Sequence, residues 1–334
     1  MVLPCPEDVW RLATEELLSM LNSGLLLRRP SGIHFYAPSF MYYKTSHYSS
    51  SSTAFPTISI TGKGCALKCK HCSGTVLNTM YPAKTPEKLL QLCGKLKAEG
   101  AVGCLVSGGC LPNGSVPLQQ FVDVLRKVKR ELGLTVFVHT GIVDLDTAKS
   151  LKEASVDAAL IDVIGSDETI EQIYNLNVTV ADYDSSLRAL HESGVRFVPH
   201  VIVGLHYGKL KGELVALDVV RKYEPSALVV IAFMPINGTE MANVEPPSPT
   251  DIARVIAVAR LKFPEMPLVL GCMRPKGKHR AETDVLAVKA GVDAIAFPAE
   301  EAVGFAERTG FETSFSPTCC SQIYADVANL RFHR

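Results

Sequence analysis

The 334-residue sequence has no net charge, since 34 Lys and Arg balance 34 Asp and Glu. Without a basic excess it lacks the electrostatic footprint of general nucleic-acid binding. It has no apolar run of membrane-spanning length. Its first residues, MVLPCPEDVW, lack the basic-then-apolar layout of an export signal. Apart from the serines at 49–52 there is no low-complexity tract, and no linker divides the chain into independent domains. The expectation is a cytoplasmic protein that neither enters a membrane nor binds nucleic acid. In a reducing compartment its ten cysteines are expected as thiols, metal ligands or core filler rather than disulfides.

What is present is apolar and periodic. At 47% hydrophobic residues the chain can bury a large core. From residue 56 onward, short β-rich runs alternate with helical patterns: PTISITG, AVGCLVSGG, LTVFVHTG, VDAALIDVIG, VRFVPHVIVG, ALVVIAFMP, PLVLGCM and VDAIAFPA. Each run is continuously apolar, as strands of a parallel sheet buried on both faces are. Thr85, Pro86 and Gly100 bracket one helix as N-cap, first residue and stop, and Ser248, Pro249 and Asp251 open another. Eight such units predict a (β/α)8 barrel over 56–310. An N-terminal extension, 1–55, is expected to hold one helix at 6–24 and a polar, tyrosine-rich loop. A tail, 311–334, carries Cys319 and Cys320.

The first strand runs into TGKGCALKCKHCSG, in which Cys65, Cys69 and Cys72 stand in C-x3-C-x2-C spacing. In a (β/α)8 barrel, loops after the strand C-termini carry the chemistry. A structural zinc site closes four ligands, commonly as two C-x2-C pairs. Three clustered thiols suit a [4Fe–4S] cluster with one iron open to a small ligand. From the residues alone, a zinc or iron–sulfur scaffold without catalysis also remains open.

This loop, at this place in a (β/α)8 pattern, resembles the radical S-adenosylmethionine (SAM) superfamily, and the resemblance spans roughly 56–300. It implies that SAM chelates the open iron, and that one electron from the reduced cluster releases methionine and a 5′-deoxyadenosyl radical. The family often has an aromatic residue before the third cysteine, where this chain has His71. In LVSGGC, Gly108 and Gly109 match the turn that contacts the SAM amino group, and Cys110 replaces the usual glutamate. Asp162 falls where relatives hold the SAM ribose, though a helix or turn cap is an equal alternative. VIVGLHYG, with Val203 and Gly204, resembles the biotin synthase segment that packs on adenine, and residues 234–264 also resemble that enzyme.

Two departures narrow the resemblance. Val269 lies near the position of the biotin synthase arginine ligand, and Cys272 follows in the same strand, GCMRPKG. The chain also carries SPTCCSQ. This layout is similar to biotin-synthase-like components of the two-protein lipoyl synthases. That implies insertion of sulfur, by preference the second one at carbon 6, into an octanoyl-derived chain on a carrier-protein lysine. The implied partners are a lipoyl carrier (glycine cleavage H protein or an acyltransferase lipoyl domain), a companion radical SAM component and a low-potential donor such as ferredoxin. The implied sulfur source is a second [4Fe–4S] cluster. Cys110 and Cys272 end strands, and Cys319 and Cys320 can fold back over the same face, so these four are its candidate ligands. Adjacent cysteines fit one cluster awkwardly, which makes one of the pair a bystander and Cys5 the reserve. The alternative is another biotin-synthase-like enzyme: a mutase, a lyase or a cofactor-maturation enzyme.

Among the rest, Cys93, Cys104 and Trp10 read as core. His139, His200 and His206 are on or just past strands and are pocket-lining or simply hydrogen-bonded. RPKGKHR, 274–280, is either an anion-binding loop or a solvated one. YYKTSHYSSSST, 42–53, is expected to cover the mouth.

Overall fold

A computed structural model describes residues 3–27 and 32–332, with side chains to 327. Eleven strands form one parallel sheet. They are β1 (Ile33–Tyr36), β2 (Thr57–Ser59), β3 (Tyr81–Pro82), β4 (Gly103–Ser107), β5 (Thr135–His139), β6 (Ala158–Val163), β7 (Phe197–Val203), β8 (Leu228–Ala232), β9 (Leu268–Leu270), β10 (Ala294–Ala296) and β11 (Thr313–Ser316). The spatial order is β11-β1-β10-β9-β8-β7-β6-β5-β4-β2-β3. All eight apolar runs became strands, β2 and β4 to β10. The result is a curled TIM-type α/β fold whose outermost strands, β11 and β3, do not pair with each other among the described residues.

The alternation explains why each run is apolar throughout. In β6, Ala158 and Leu160 face the lumen core, while Ala159, Ile161 and Val163 face the helices. A period of two therefore buries both faces. The helix Pro86–Ala98 opens with the Thr85 side chain accepting from Lys88 N, and its buried face is Leu89, Cys93 and Leu96. The helix Pro249–Lys262 opens on Ser248, whose Oγ accepts from Asp251 N at 3.1 Å.

The ends of the chain depart from expectation. Where one helix was expected at 6–24 there are two, Pro6–Arg11 and Thr14–Asn22. The cause is Arg254, whose Nη1 donates to the carbonyls of Val9, Trp10 and Leu12 at 3.1, 3.1 and 2.7 Å and ends the first helix there. Next, Ala13 N donates to Glu16 Oε2 and starts the second. β1 comes from the N-terminal extension and β11 from the tail, and both add to the sheet beyond β10.

The tail does not cap the mouth from outside but enters the lumen. Cys320 and Ile323 lie in the lumen core with Phe137, Leu160, Val198 and Val229. Tyr36 OH donates to Asp326 at 2.6 Å, and Tyr324 OH donates to the carbonyl of Asp157, just before β6. The loop at 42–53 lies over the ends of β10 and β11. There Tyr43 OH donates to Pro298 O at 2.8 Å, and the Tyr48 ring stacks on Phe315 at 5.0 Å. Among the described residues no helix is long and apolar enough to cross a membrane.

Arg274, expected in a surface loop, is fully buried. It forms a two-pronged pair with Asp284 at 2.7 Å for both contacts, and donates to Gly271 O, Ala296 O and Phe297 O. All its donor directions are thus spent on closing the ends of β9 and β10, and none is left for an anion. Removing one partner of such a pair leaves a buried charge uncompensated. We expect Asp284→Ala to cost about 3–5 kcal/mol in urea-monitored unfolding, and a cost near that of a surface substitution would show that the clamp is dispensable.

Candidate active site

The cysteine loop is held from two sides. From β4, the Gly109 N–H donates to Thr61 Oγ1 at 2.7 Å, and Cys110 O accepts from Ala66 N at 2.9 Å. Gly109 comes so close that a Cβ there would stand 2.0 Å from Gly64 O and 2.6 Å from the Cys65 Cα. Only glycine permits that approach. From the other side comes the C-terminus of the helix Asp167–Tyr174. Its orphan carbonyls are taken by the loop: Lys70 N donates to Ile173 O at 2.8 Å, and the Cys69 thiol points at Tyr174 O at 3.5 Å. Asn175, in the left-handed region at φ 52°, donates its side-chain amide to Leu67 O and Lys68 O.

Inside this cradle, Cys69, His71 and Cys72 each present a ligand atom within 4.8 Å of the others. Cys65 lies beside them, half-buried and packed on the same apolar surface, but outside that tight group. The neighbouring Cys69 thiol, with help from His71, lowers the pKa of Cys72 against the effect of burial. The closeness of Cys72, and then burial, push Cys69 upward. The buried Nδ1 of His71 has no partner within the protein, and its ring lies 5.1 Å from that of Tyr174. Thiols brought together on one loop, with the pKa of Cys72 lowered, are a donor set that an iron–sulfur cluster fits.

The four other candidate cysteines are divided. Cys110 is tied to the first loop through its carbonyl, which accepts from Ala66 N, and burial, followed by the charge of Cys65, raises it to about 12. Cys272, Cys319 and Cys320 share the lumen core instead. Burial, then Cys319, raises Cys272 to about 11, and the Cys320 thiol lowers Cys319 to about 7. The structure therefore does not bring Cys110 to the other three. The reserve, Cys5, is at the wrong end. Its thiol donates to Glu7, which also accepts from Lys262 at the last residue of an outer helix. That helix follows β8 and returns antiparallel, so Cys5 sits below the strands' N-terminal ends, opposite the mouth.

Val203 ends β7 fully buried, and Gly204, also buried, follows it, with Pro247 lying 2.5 Å from where a Gly204 Cβ would stand. Gly204 N donates to Glu213 Oε1 at 2.8 Å. Glu213 went unnoticed in the sequence because nothing local marks it, and burial raises it to about 7. Asp162 caps no helix, since Ser166 Oγ does so for the next one. It faces the lumen, with its Oδ1 3.5 Å from His139 Nε2. Burial opposes the charge on both, but their pairing prevails and holds His139 above and Asp162 below its usual value. His200, half-buried nearby with its Nδ1 shut off from solvent, is lowered to about 4 by desolvation. His206 lies outside this group, at the rim, with its Nδ1 3.1 Å from Thr169 Oγ1.

The radical SAM superfamily family model matches residues 59–209. Among curated proteins, the biotin synthase of Zymomonas mobilis is 27% identical over 305 residues, 87% of this chain and 86% of that protein. The biotin synthase of Chromohalobacter salexigens is 26% identical over 302 residues, covering 87% and 77%. Among solved structures, the [FeFe]-hydrogenase maturase HydG superposes with TM-score 0.65 at 17% identity, covering 96% of this chain and 74% of that one. Methylornithine synthase PylB gives 0.62 at 16%, covering 97% and 95%. At those identities the structures establish a shared fold.

Two outcomes follow from the geometry. Gly109→Val must displace the Cys65 backbone, so iron bound after anaerobic reconstitution should fall together with SAM binding; full iron with weakened SAM binding would mean that the loop yields independently. Glu213 has a folded pKa of about 7 against 4.5. Its contribution to stability is therefore fully present below about 4.5 and lost as pH rises through about 7. Glu213→Gln should be more stable than the parent at pH above about 8 and gain less near pH 5, as read from unfolding midpoints.

Proposed function

This chain carries a radical SAM domain and has biotin synthases among its relatives, and from that premise we propose that it inserts sulfur into an octanoyl-derived chain as one component of a two-protein lipoyl synthase. In this reading Cys65, Cys69 and Cys72 hold a [4Fe–4S] cluster, and Cys272 and Cys319, with Cys320 behind them, contribute to a second. When bound, the first group supplies the electron that opens SAM to a carbon radical, and the second supplies the sulfur.

The chain's own residues do the rest. The Gly108–Gly109 turn lets backbone come close to the SAM amino group, next to the loop it is bonded to. Glu213 fixes Gly204, and with it the edge of the adenine pocket. The packed apolar floor beneath, Phe137, Leu160 and Val198, closes the space from below and keeps water away from a radical formed above it. The proposed partners are a lipoyl carrier, the companion component and a ferredoxin-like donor, and the preferred step is the second sulfur, at carbon 6.

The observation that carries this reading is the second thiol group, Cys272 with Cys319, set in the lumen apart from the first loop. One observation favours the alternative, a biotin-synthase-like enzyme of another reaction class: Cys110 stands with the first loop and leaves the lumen group short of a fourth thiol. Cys272→Ala decides between them. Sulfur insertion requires that the variant lose roughly half the iron, still yield 5′-deoxyadenosine, and form no C–S bond on an octanoyl or mercaptooctanoyl lysine. Full iron and unchanged thiolation would remove the second cluster and the sulfur-insertion reading with it, and zinc in place of iron would remove both enzymatic readings.

A further inference from the structure

Between the two thiol groups, with Cys319 near His139 and Cys110 near Asp162, three donors from adjacent strands converge in the lumen. His139 ends β5, Asp162 lies near the end of β6 and His200 is within β7. Two residues earlier on each strand, Phe137, Leu160 and Val198 belong to the lumen core. The period of two therefore turns all three donors inward, as one polar layer above an apolar floor. One ligand atom from each lies within 4.8 Å of the other two. The His139–Asp162 contact is 3.5 Å, and the two imidazole rings stand 6.0 Å apart between centroids.

Polar groups in such a place are costly unless partnered. His139 and Asp162 offset each other, but the buried Nδ1 of His200 meets no hydrogen-bond partner within the protein. Two imidazoles and a carboxylate form an N/O set suited to zinc or ferrous iron. Bonds of about 2.0–2.2 Å to one ion put neighbouring donors roughly 3–3.7 Å apart, which the His139–Asp162 separation matches. The three strands hold the layer rigidly, the floor excludes ligands from below, and the unfilled positions face the mouth.

We propose that His139, Asp162 and His200 form a site for one divalent transition-metal ion, zinc or ferrous iron, with open positions toward the substrate space. An oxygen or sulfur atom of the substrate completes the coordination, so the ion orients and polarises that atom without itself changing oxidation state. The site does not depend on sulfur insertion or on either thiol group, and it assigns Asp162 to the ion rather than to the SAM ribose.

The test uses the cluster-loaded enzyme, in which cysteines are already engaged, and titrates it with Co2+ under anaerobic conditions. We expect one Co2+ per chain, with the visible absorption of N/O coordination and no thiolate charge-transfer band. His200→Gln and Asp162→Asn should each weaken binding by about 10–100-fold or more, the range produced even by changes to groups that only support ligands. His206→Gln, at the rim, should leave it unchanged. Thermal unfolding of each variant checks the fold, and His139→Gln carries the same expectation should another variant not fold. Absence of stoichiometric Co2+, or Co2+ with thiolate absorption indifferent to His200→Gln, overturns the site. Iron and sulfide assayed in the same samples separate that outcome from failure of the cluster reading.

Discussion

The candidate active site depends on one backbone contact, the approach of Gly109 to Gly64 and Cys65. The absence of a side chain at Gly109 lets the end of β4 lie against the cysteine loop, and the Thr61 hydroxyl fixes the distance. Without that contact the loop would keep the Ala66–Cys110 backbone bond and its anchor on the helix end at Ile173–Asn175, but lose the close approach of β4 to Cys65. A glycine turn that resembles a SAM contact is thus also a structural part of the cysteine loop. The two roles are compatible, because a turn that grips the loop also carries any ligand it binds directly beside the thiols.

The second constraint is the tail. By entering the lumen it fills space that a sheet of this size would otherwise leave open, and its Tyr324 reaches the carbonyl before β6. The cost of ordering this segment is offset by burying Cys320 and Ile323. The same path sets Cys319 near Cys272 and His139. The lumen consequently has an apolar floor, one polar layer and one thiol group, while Cys110 is left with the first loop.

Two buried ion pairs keep the β9–β10 side of the sheet in register. At the strand N-termini, Asp293 accepts from Arg260 at 2.5 Å and from Leu268 N at 2.8 Å. At the other end Arg274 and Asp284 bridge the strand ends to Ala299 N. Both pairs are bonded to backbone as well as to each other, the condition under which a buried pair is tolerated. That Arg274 is structural could not be read from RPKGKHR, because a basic run looks the same whether its side chains face solvent or strand ends.

Local patterns determined much of this protein. Continuous apolar runs fixed the eight strands because both faces of a parallel sheet are buried, and Thr85 and Ser248 fixed helix starts because a hydroxyl there meets an unpaired N–H. The spacing of Cys65, Cys69 and Cys72 placed three thiols on one loop for the same reason of short range. Only the tertiary structure decided what long-range packing controls. β1, IHFY, stands outside the repeating strand-and-helix pattern and is marked as a strand only by β10 and β11 on either side, and Arg254 splits a helix from 242–245 residues away. The division of Cys110 from Cys272 and Cys319, the place of Cys5 at the far end, and the meeting of His139, Asp162 and His200 all depend on which strands become neighbours. Their distances are set by the curl of the sheet and the path of the tail, and sequence spacing carries neither.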